Sequence, residues 1–190
     1  NRNGFFYAIN RANGEFIRAT SYMEQLNWAD SMEPSGRPVI NPEAMPSEEP
    51  TMRICPGALG GMNGSVAGSL NPDLGLAFIP VIESCQLMQK GLSMFVEGQM
   101  FTGGLPIPVD GVPDALGDVA AYGHISAVDY NSGDIAWRYY DPQPMMAGTL
   151  STAGGMVFTG SQTGHALGLD AENGNVVWRK RLGGGVRSQP

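Results

Sequence analysis

The sequence predicts an all-β protein that forms part of a β-propeller, and three observations lead to this fold class. A hairpin motif recurs after 41 residues. One unit of about 40 residues holds four short strands, which is the size of a propeller blade. No stretch of useful length has the apolar spacing of an amphipathic helix.

The repeated motif is a strand, a turn and a returning strand. Its two clear copies are GHISAVDYNSGDIAWRY at 123–139 and GHALGLDAENGNVVWRK at 164–180, which share the frame A/G-x-D-x-x-x-G-x-x-x-W. A weaker third copy lies at 8–18, where Asn10 replaces the Asp and Arg18 replaces the Trp. The chain therefore repeats one hairpin design.

Each constant position of the frame has a mechanical reason. Residues 125–128 alternate between two faces, as in a strand. The Asp can accept hydrogen bonds from the amides of its own turn, and the Gly supplies the positive φ that the loop requires. The Trp after each turn can dock between neighbouring sheets. We therefore assign Asp129 and Asp170 to turns and not to catalysis.

The spacing of strands and turns divides the chain into pieces of blades. Residues 4–20 are expected to end one blade, 58–140 to form a blade with a long insertion at 83–121, 147–182 to form a compact blade, and 183–190 to begin another. Two full blades cannot close a ring and would leave sheet edges exposed. We therefore interpret 1–190 as a fragment of one propeller domain.

Composition excludes several classes of function. The 11 basic and 18 acidic residues give a net charge of −7, and Lys and Arg do not cluster, so nucleic acid is not an expected partner. No apolar run is long enough to span a membrane. No signal peptide is visible at the start of the sequence.

Histidine and cysteine are too few and too scattered for a zinc site. His124 and His165 occupy equivalent places in two copies of the repeat, which indicates strand packing on two separate blades. Cys55 and Cys85 are the two cysteines of the chain, and sequence alone leaves their pairing open.

Several blocks outside the repeat resemble one enzyme family. The blocks RNGFFYAINRANGEFI, NW at 27–28, CPGALGGMN, Cys85 and GTLSTAGGMVFTG are similar, in order and spacing, to those of quinoprotein alcohol dehydrogenases of the methanol and ethanol type. The resemblance implies an eight-bladed propeller of four-stranded antiparallel blades with tryptophan-docking repeats. This chain would be a C-terminal part of that propeller.

The resemblance also implies an activity for the parent protein. Such enzymes hold pyrroloquinoline quinone (PQQ) and a Ca²⁺ or lanthanide ion, oxidise a primary alcohol to an aldehyde, and pass electrons to a cytochrome c in the periplasm. The metal ligands and the catalytic base would lie outside this segment, so the isolated chain is expected to be inactive. The 83–121 insertion would cover the site or meet a partner.

Three residues match cofactor-binding positions of the family. Arg2 would reach the ortho-quinone oxygens of PQQ, because a planar cation suits two adjacent carbonyls. Asn63 would hydrogen-bond the polar edge of the cofactor, although Gly64 follows it where the family has an aromatic or polar residue. Met146 stands where the family has a Trp. Cys55 and Cys85 match positions that form a disulfide in several members.

Two alternatives remain open from the sequence. A non-catalytic propeller scaffold, such as an outer-membrane assembly lipoprotein, uses the same repeat without a cofactor. A quinoprotein sugar dehydrogenase would share the PQQ site but not the substrate pocket. The Arg-Asn-Gly-Phe start, the Cys-Pro-Gly block and the long insertion favour the alcohol dehydrogenase over the scaffold.

Overall fold

A computed structural model of the chain describes residues 1–48, 53–62, 65–91, 94–99, 101, 104–106 and 121–190. In these ranges the chain forms strands and one short 3-10 helix at Pro42–Ala44. The strands are β1 (Phe5–Ile9), β2 (Phe16–Ser21), β3 (Ala29–Met32), β4 (Pro38–Ile40), β5 (Arg53–Ile54), β6 (Gly61–Met62), β7 (Ser69–Asn71), β8 (Leu76–Glu83), β9 (Gln86–Lys90), β10 (Gly104–Pro106), β11 (Tyr122–Asp129), β12 (Ile135–Asp141), β13 (Leu150–Ser151), β14 (Met156–Ser161), β15 (His165–Asp170) and β16 (Val176–Arg181).

Strands β13 to β16 form one antiparallel sheet in chain order, here called the last sheet. Its connections are short hairpins, and the second copy of the repeated frame forms β15, the turn and β16. A propeller blade is likewise a four-stranded sheet.

The central sheet consists of β12, β11 and β8, with β6 and β7 on the far edge of β8. Strand β6 pairs with the end of β8 at Ile82, and β7 pairs with its beginning at Leu76. The two short strands therefore occupy one strand position in succession, and the central sheet also has four strand positions.

Two smaller units precede and adjoin the central sheet. Strands β1 and β2 form an antiparallel pair, here called the first hairpin, which carries the weak third copy of the frame. Strand β9 pairs with β5 on one side and β10 on the other. The sequence analysis treats 83–121 as an insertion and predicts no strand in it, whereas β9 and β10 lie within these bounds.

The two faces of β8 and β11 are both buried, because period-2 alternation sends neighbouring side chains to opposite sides. One face meets the last sheet in a cluster built around Phe78, Ile125 and Trp137. The other face meets the first hairpin in a cluster built around Tyr22 and Val81. We call the contact with the first hairpin the first interface and the contact with the last sheet the second interface.

The described part of the chain has no helix with the length and apolar character needed to cross a bilayer. The all-β prediction and the antiparallel four-stranded arrangement are confirmed by the strand pairing.

Candidate functional site

The turns of the repeat form the hydrogen bonds that their sequences predict. Asp129 Oδ1 accepts hydrogen bonds from the amides of Asn131 at 2.8 Å and Ser132 at 3.1 Å. Asp170 Oδ1 accepts the equivalent bonds from Glu172 and Asn173. Both carboxylates are therefore engaged in turn formation, and their assignment to structure is confirmed.

Trp137 docks the central sheet onto the last sheet. Its Nε1 donates to the Ala171 carbonyl oxygen at 3.0 Å, and its side chain is buried. Its ring lies directly over Gly174, where a Cβ would collide with the indole. The glycine of the frame is thus required twice, for its positive φ of 76° and for the close approach of the indole ring.

Arg18 makes the corresponding contact in the first interface. Its Nη2 donates to the Tyr130 carbonyl oxygen at 3.1 Å and also to the Asn131 carbonyl oxygen. A Cβ on Gly133 would lie 2.7 Å from Thr20 Oγ1 and 2.9 Å from Arg18 Cδ, so this turn also needs a glycine. Tyr130 and Gly133 precede Ala171 and Gly174 by 41 residues, so Arg18 performs the docking role that the repeat assigns to Trp.

The turn at Gly14 and the side chain of Trp178, which complete the three copies of the repeat, are both uncovered. A Cβ on Gly14 would meet nothing within 4 Å, and Trp178 is 45% exposed. Each of the two covered turns receives a docking side chain from the neighbouring sheet, whereas the turn at Gly14 receives none among the described residues.

Arg2 lies against the segment that precedes Asn63. Its Nη1 donates to the Ala58 carbonyl oxygen at 2.6 Å, and its side chain is half-buried. A Cβ on Gly61 would collide with the Arg2 carbonyl oxygen, so the backbones of the two residues pack directly together. Gly61 also has a positive φ of 78°. The structure therefore brings Arg2 to the glycine-rich block that the sequence singled out.

A disulfide bond anchors the same glycine-rich block. Cys55 and Cys85 are bonded, with their Cα atoms 4.4 Å apart. The amide of Gly57 donates to the Ser84 carbonyl oxygen at 2.8 Å, and the amide of Ala58 donates to Gln86 Oε1 at 3.0 Å. The carbonyl that receives Arg2 is therefore anchored to the residues that flank Cys85.

The other two predicted cofactor residues are Asn63 and Met146. Asn63 lies outside the described residues, which end on that side at Met62. Met146 lies in the connection between β12 and β13 and is half-buried, whereas its neighbour Met145 is fully buried in the second interface. Met146 therefore belongs to the connection that leads to the last sheet, whereas Arg2 contacts Ala58.

Tyr22 is a residue of this region that sequence reasoning missed. Its hydroxyl donates to the Asn1 carbonyl oxygen and accepts a hydrogen bond from the Met62 amide at 3.1 Å. Its side chain is 1% exposed, and burial raises the pKa of its hydroxyl. Tyr22 follows a strand and lies outside the repeated frame, so no local pattern marks it.

A buried polar network continues from Tyr22 into the central sheet. Ser126 Oγ donates to the Tyr22 carbonyl oxygen at 3.2 Å and lies 3.1 Å from His124 Nδ1. His124 Nε2 lies 2.9 Å from Glu83 Oε1, and both side chains are fully buried. The Glu83 carboxylate also accepts the amides of Glu24 and Gln25 at 2.8 and 3.0 Å.

The two histidines of the repeat are therefore not equivalent in their surroundings. His165 is half-buried, and its Nδ1 lies 3.2 Å from both Thr163 Oγ1 and Arg179 Nη2. The common position in the repeat predicts strand packing for both. The Glu83 partner of His124 comes from a strand that pairs with β11 and could not be read from the repeat.

Glu24 links the first hairpin to the outer part of the central sheet. Its carboxylate accepts hydrogen bonds from the hydroxyls of Tyr122 at 2.7 Å and Tyr140 at 2.5 Å, and lies 3.8 Å from Arg138 Nη1. Burial opposes ionisation of Glu24, but the two hydroxyls and Arg138 outweigh it and lower its pKa. Burial and the hydrogen bond to Glu24 raise the pKa of Tyr122 to about 12.

A cavity of about 380 Å³ opens in the first interface. Tyr22 and Met62 line it, together with residues that are mostly apolar. The remaining lining residues are Asn1, Phe5, Phe6, Tyr7, Gly68, Ser69, Leu70, Ala77, Phe78 and Ile79. Because Asn1 and Met62 directly precede Arg2 and Asn63, the cavity adjoins the segments that carry the candidate cofactor residues.

Comparison with known proteins relates the whole chain to one group of enzymes. It is 30% identical over 195 residues to the quinoprotein alcohol dehydrogenase PedH of Pseudomonas putida, covering all of this chain and 32% of that protein. It is 29% identical to the lanthanide-dependent methanol dehydrogenase of Methylacidiphilum fumariolicum, covering all of this chain and 30% of that protein. The chain thus spans about a third of the length of these relatives.

Solved structures agree with the sequence comparison. A europium-containing methanol dehydrogenase superposes with a TM-score of 0.86 at 27% identity, over 99% of this chain and 32% of that one. The quinohemoprotein alcohol dehydrogenase of Comamonas testosteroni superposes with a TM-score of 0.85 at 26% identity, over 100% of this chain and 28% of that one. These likenesses confirm the predicted propeller fold class.

A family model described as outer membrane protein assembly factor BamB matches residues 121–190. This region contains β11 to β16 and both clear copies of the repeat. The match therefore falls on the docking hairpins, whereas the Arg2 contact and the disulfide lie before it.

Proposed function

We propose that this chain, which is related over its whole length to quinoprotein alcohol dehydrogenases, forms one side of the PQQ pocket in an enzyme that oxidises a primary alcohol to an aldehyde. The observation that carries the proposal is the position of Arg2. Its guanidinium reaches the Cys-Pro-Gly block, and its backbone packs on Gly61, two residues before Asn63. Arg2 and the described segment that precedes Asn63 are thereby brought together from distant parts of the sequence.

The donor groups of this segment fit PQQ by their chemistry. A guanidinium suits adjacent carbonyl oxygens and carboxylates, and it favours the negative charge that a quinone gains on reduction. An amide such as that of Asn63 can donate and accept along a polar ring edge. Met146 would supply a soft apolar contact and no polar group. PQQ itself, when bound, would supply the redox chemistry.

The metal, the base and the electron acceptor belong to the same proposal. Two similar proteins are described as lanthanide-dependent and europium-containing, and the methanol dehydrogenase of Paracoccus denitrificans, 29% identical, is named with cytochrome c. We place the Ca²⁺ or lanthanide ligands and the catalytic base outside this segment, and cytochrome c as the acceptor. A disulfide suits an oxidising compartment, which supports a periplasmic location.

The rest of the propeller is the closest proposed partner. We assign 4–20 to the end of one blade, 58–140 to a blade interrupted at 83–121, 147–182 to a compact blade and 183–190 to the start of another. The uncovered turn at Gly14 and the exposed Trp178 support this assignment, because each has a covered counterpart within the chain.

The test is PQQ binding by the full-length protein that contains this segment. We expect Arg2→Ala to weaken PQQ binding at least tenfold, measured by quenching of tryptophan fluorescence in the metal-loaded protein, and to slow dye-linked alcohol oxidation. Arg2→Lys should recover part of the loss, because it restores the charge without the planar fork. Arg11→Ala, at an exposed turn position of the same hairpin, is the matched control.

A second candidate function is a propeller scaffold without cofactor, favoured by the assembly-factor match over 121–190. The same titration separates the two. A full-length protein that binds no PQQ in the presence of Ca²⁺ or a lanthanide, and oxidises no alcohol, would be a scaffold. Equal PQQ affinity in the Arg2 and Arg11 variants would remove Arg2 from the pocket.

A further inference from the structure

One hydroxyl joins the two backbone segments that carry the candidate cofactor residues. Tyr22 donates to the carbonyl oxygen of Asn1, the residue before Arg2. The Tyr22 hydroxyl oxygen in turn accepts a hydrogen bond at 3.1 Å from the amide of Met62, the residue before Asn63. The two segments are about 60 residues apart in the chain, and the Tyr22 hydroxyl is a single atom that touches both.

The position of Tyr22 is itself determined by the central sheet. Its amide donates to the Gly4 carbonyl oxygen at 3.0 Å, and its carbonyl accepts the Ser126 hydroxyl at 3.2 Å. The two residues after Met23 donate their amides to the buried Glu83 carboxylate. The backbone on both sides of the aromatic ring is therefore held by hydrogen bonds to the first hairpin and to the central sheet.

We propose that Tyr22 is a positioning residue that sets the placement of Arg2 against the segment that ends at Met62, and thereby tunes the PQQ pocket without touching the cofactor. This inference rests on the proposed function. A buried side chain can contribute to stability alone, but the Tyr22 hydroxyl is hydrogen-bonded to the backbone of both segments. The Tyr22 side chain is buried, and a buried hydroxyl without a partner costs free energy, which favours keeping both bonds.

The test is a double-mutant cycle in the full-length protein. Tyr22→Phe keeps the ring and removes the hydroxyl, and we expect PQQ affinity to fall about tenfold in a fluorescence titration. Combined with Arg2→Ala, it should add less than its own effect, because both changes disturb the same placement. Tyr139→Phe, which removes a hydroxyl from a half-buried tyrosine of the second interface, is the matched control and should leave PQQ affinity unchanged.

The outcomes separate this inference from the proposed function. Loss of affinity in Arg2→Ala with unchanged affinity in Tyr22→Phe would overturn the positioning role alone. Unchanged affinity in Arg2→Ala would overturn the proposed function. Fully additive effects would make Tyr22 a stabilising residue only. If Tyr22→Phe does not fold, Ser126→Ala releases the Tyr22 carbonyl instead; a loss of several-fold in affinity supports the role, and none contradicts it.

Discussion

The two interfaces of the central sheet use one docking position with two different side chains. In the second interface Trp137 donates to the Ala171 carbonyl oxygen, and in the first Arg18 donates to the equivalent carbonyl of Tyr130. The receiving turn is the same in both, with an Asp, a carbonyl acceptor and a glycine under the docking group. The acceptor is therefore the same in both interfaces, whereas the donor is an indole N–H in one and a guanidinium N–H in the other.

The interfaces differ in their charges. The first interface contains the fully buried Glu83, the half-buried Arg18 and Arg138, and the more exposed Glu24. The second interface is built mainly from apolar side chains around Trp137. Among the described residues, the buried side-chain nitrogens without a partner are Arg18 Nε and Arg138 Nε, both in the first interface. Unpaired buried donors cost free energy, so we expect the first interface to be the weaker one.

The largest effect should come from removing the indole of the second interface. Trp137→Ala is expected to lower the free energy of unfolding by about 3–5 kcal/mol, because it leaves a cavity in a packed core and an unpaired carbonyl. Denaturant unfolding of the full-length protein measures this. Trp137→Phe, which keeps most of the ring but not the N–H, should cost less, and an equal cost would mean that the hydrogen bond and not the packing dominates.

Removing the docking side chain of the first interface should have a smaller effect. Arg18→Ala is expected to cost about 1–3 kcal/mol, the range for hydrogen bonds to a charged group. Arg18→Trp tests whether the two donors are interchangeable, since it restores the side chain of the repeat and removes a buried nitrogen that has no partner. An Arg18→Trp variant that is more stable than the wild type would confirm that the two donors are interchangeable. If Arg18→Ala lowers the free energy of unfolding as much as Trp137→Ala does, the first interface is not the weaker one.

The smallest effect should be a pH dependence to which Tyr122 and Glu24 of the first interface contribute. The raised pKa of Tyr122, about 12, means that the folded protein keeps a proton that the unfolded chain loses near its ordinary value of 10.0. Stability should therefore fall as the pH rises from about 10 to about 12. The lowered pKa of Glu24 has the opposite sense, and its contribution is present above the ordinary value of 4.5 and lost as the pH falls through the folded pKa.

Tyr122→Phe separates these contributions by removing one partner of Glu24. Chemical unfolding at several pH values should show a shallower alkaline decline in this variant than in the wild type. Tyr139→Phe in the second interface is the control. Its pKa is also raised, mainly by burial, but it lacks the carboxylate contact that defines the Glu24 cluster, so a decline lost equally in both variants would assign the effect to burial alone.

Local chemistry made much of the fold predictable. The Asp and Gly of each turn act within a few residues, so their hydrogen bonds and positive φ values could be expected from the motif. The period-2 pattern at 125–128 likewise predicted a strand with two faces, and the tertiary structure buries both of them. The Cys55–Cys85 disulfide was expected from the family resemblance and not from spacing.

The candidate site was predictable only where a family block marked it. Arg2 belongs to such a block, and the structure brings it to the Cys-Pro-Gly segment. The substitution of Arg18 for Trp was visible in the sequence, but its equivalent acceptor at Tyr130 was not. Tyr22 and Glu83 carry no motif, and their roles come from partners 21 to 41 residues away, namely Asn1 and Met62 for Tyr22 and His124 for Glu83.

The sequence by itself determined the hairpins, because turn formation and strand alternation depend on neighbouring residues whose geometry is set along the chain. Only the tertiary structure decided which hairpin faces which. That choice assigned Trp137 to a covered turn, left Trp178 exposed, and gave His124 a buried carboxylate while His165 stayed half-buried. The physical reason is that burial and hydrogen-bond partners at these positions come from a different sheet, and identical local sequences therefore acquire different surroundings.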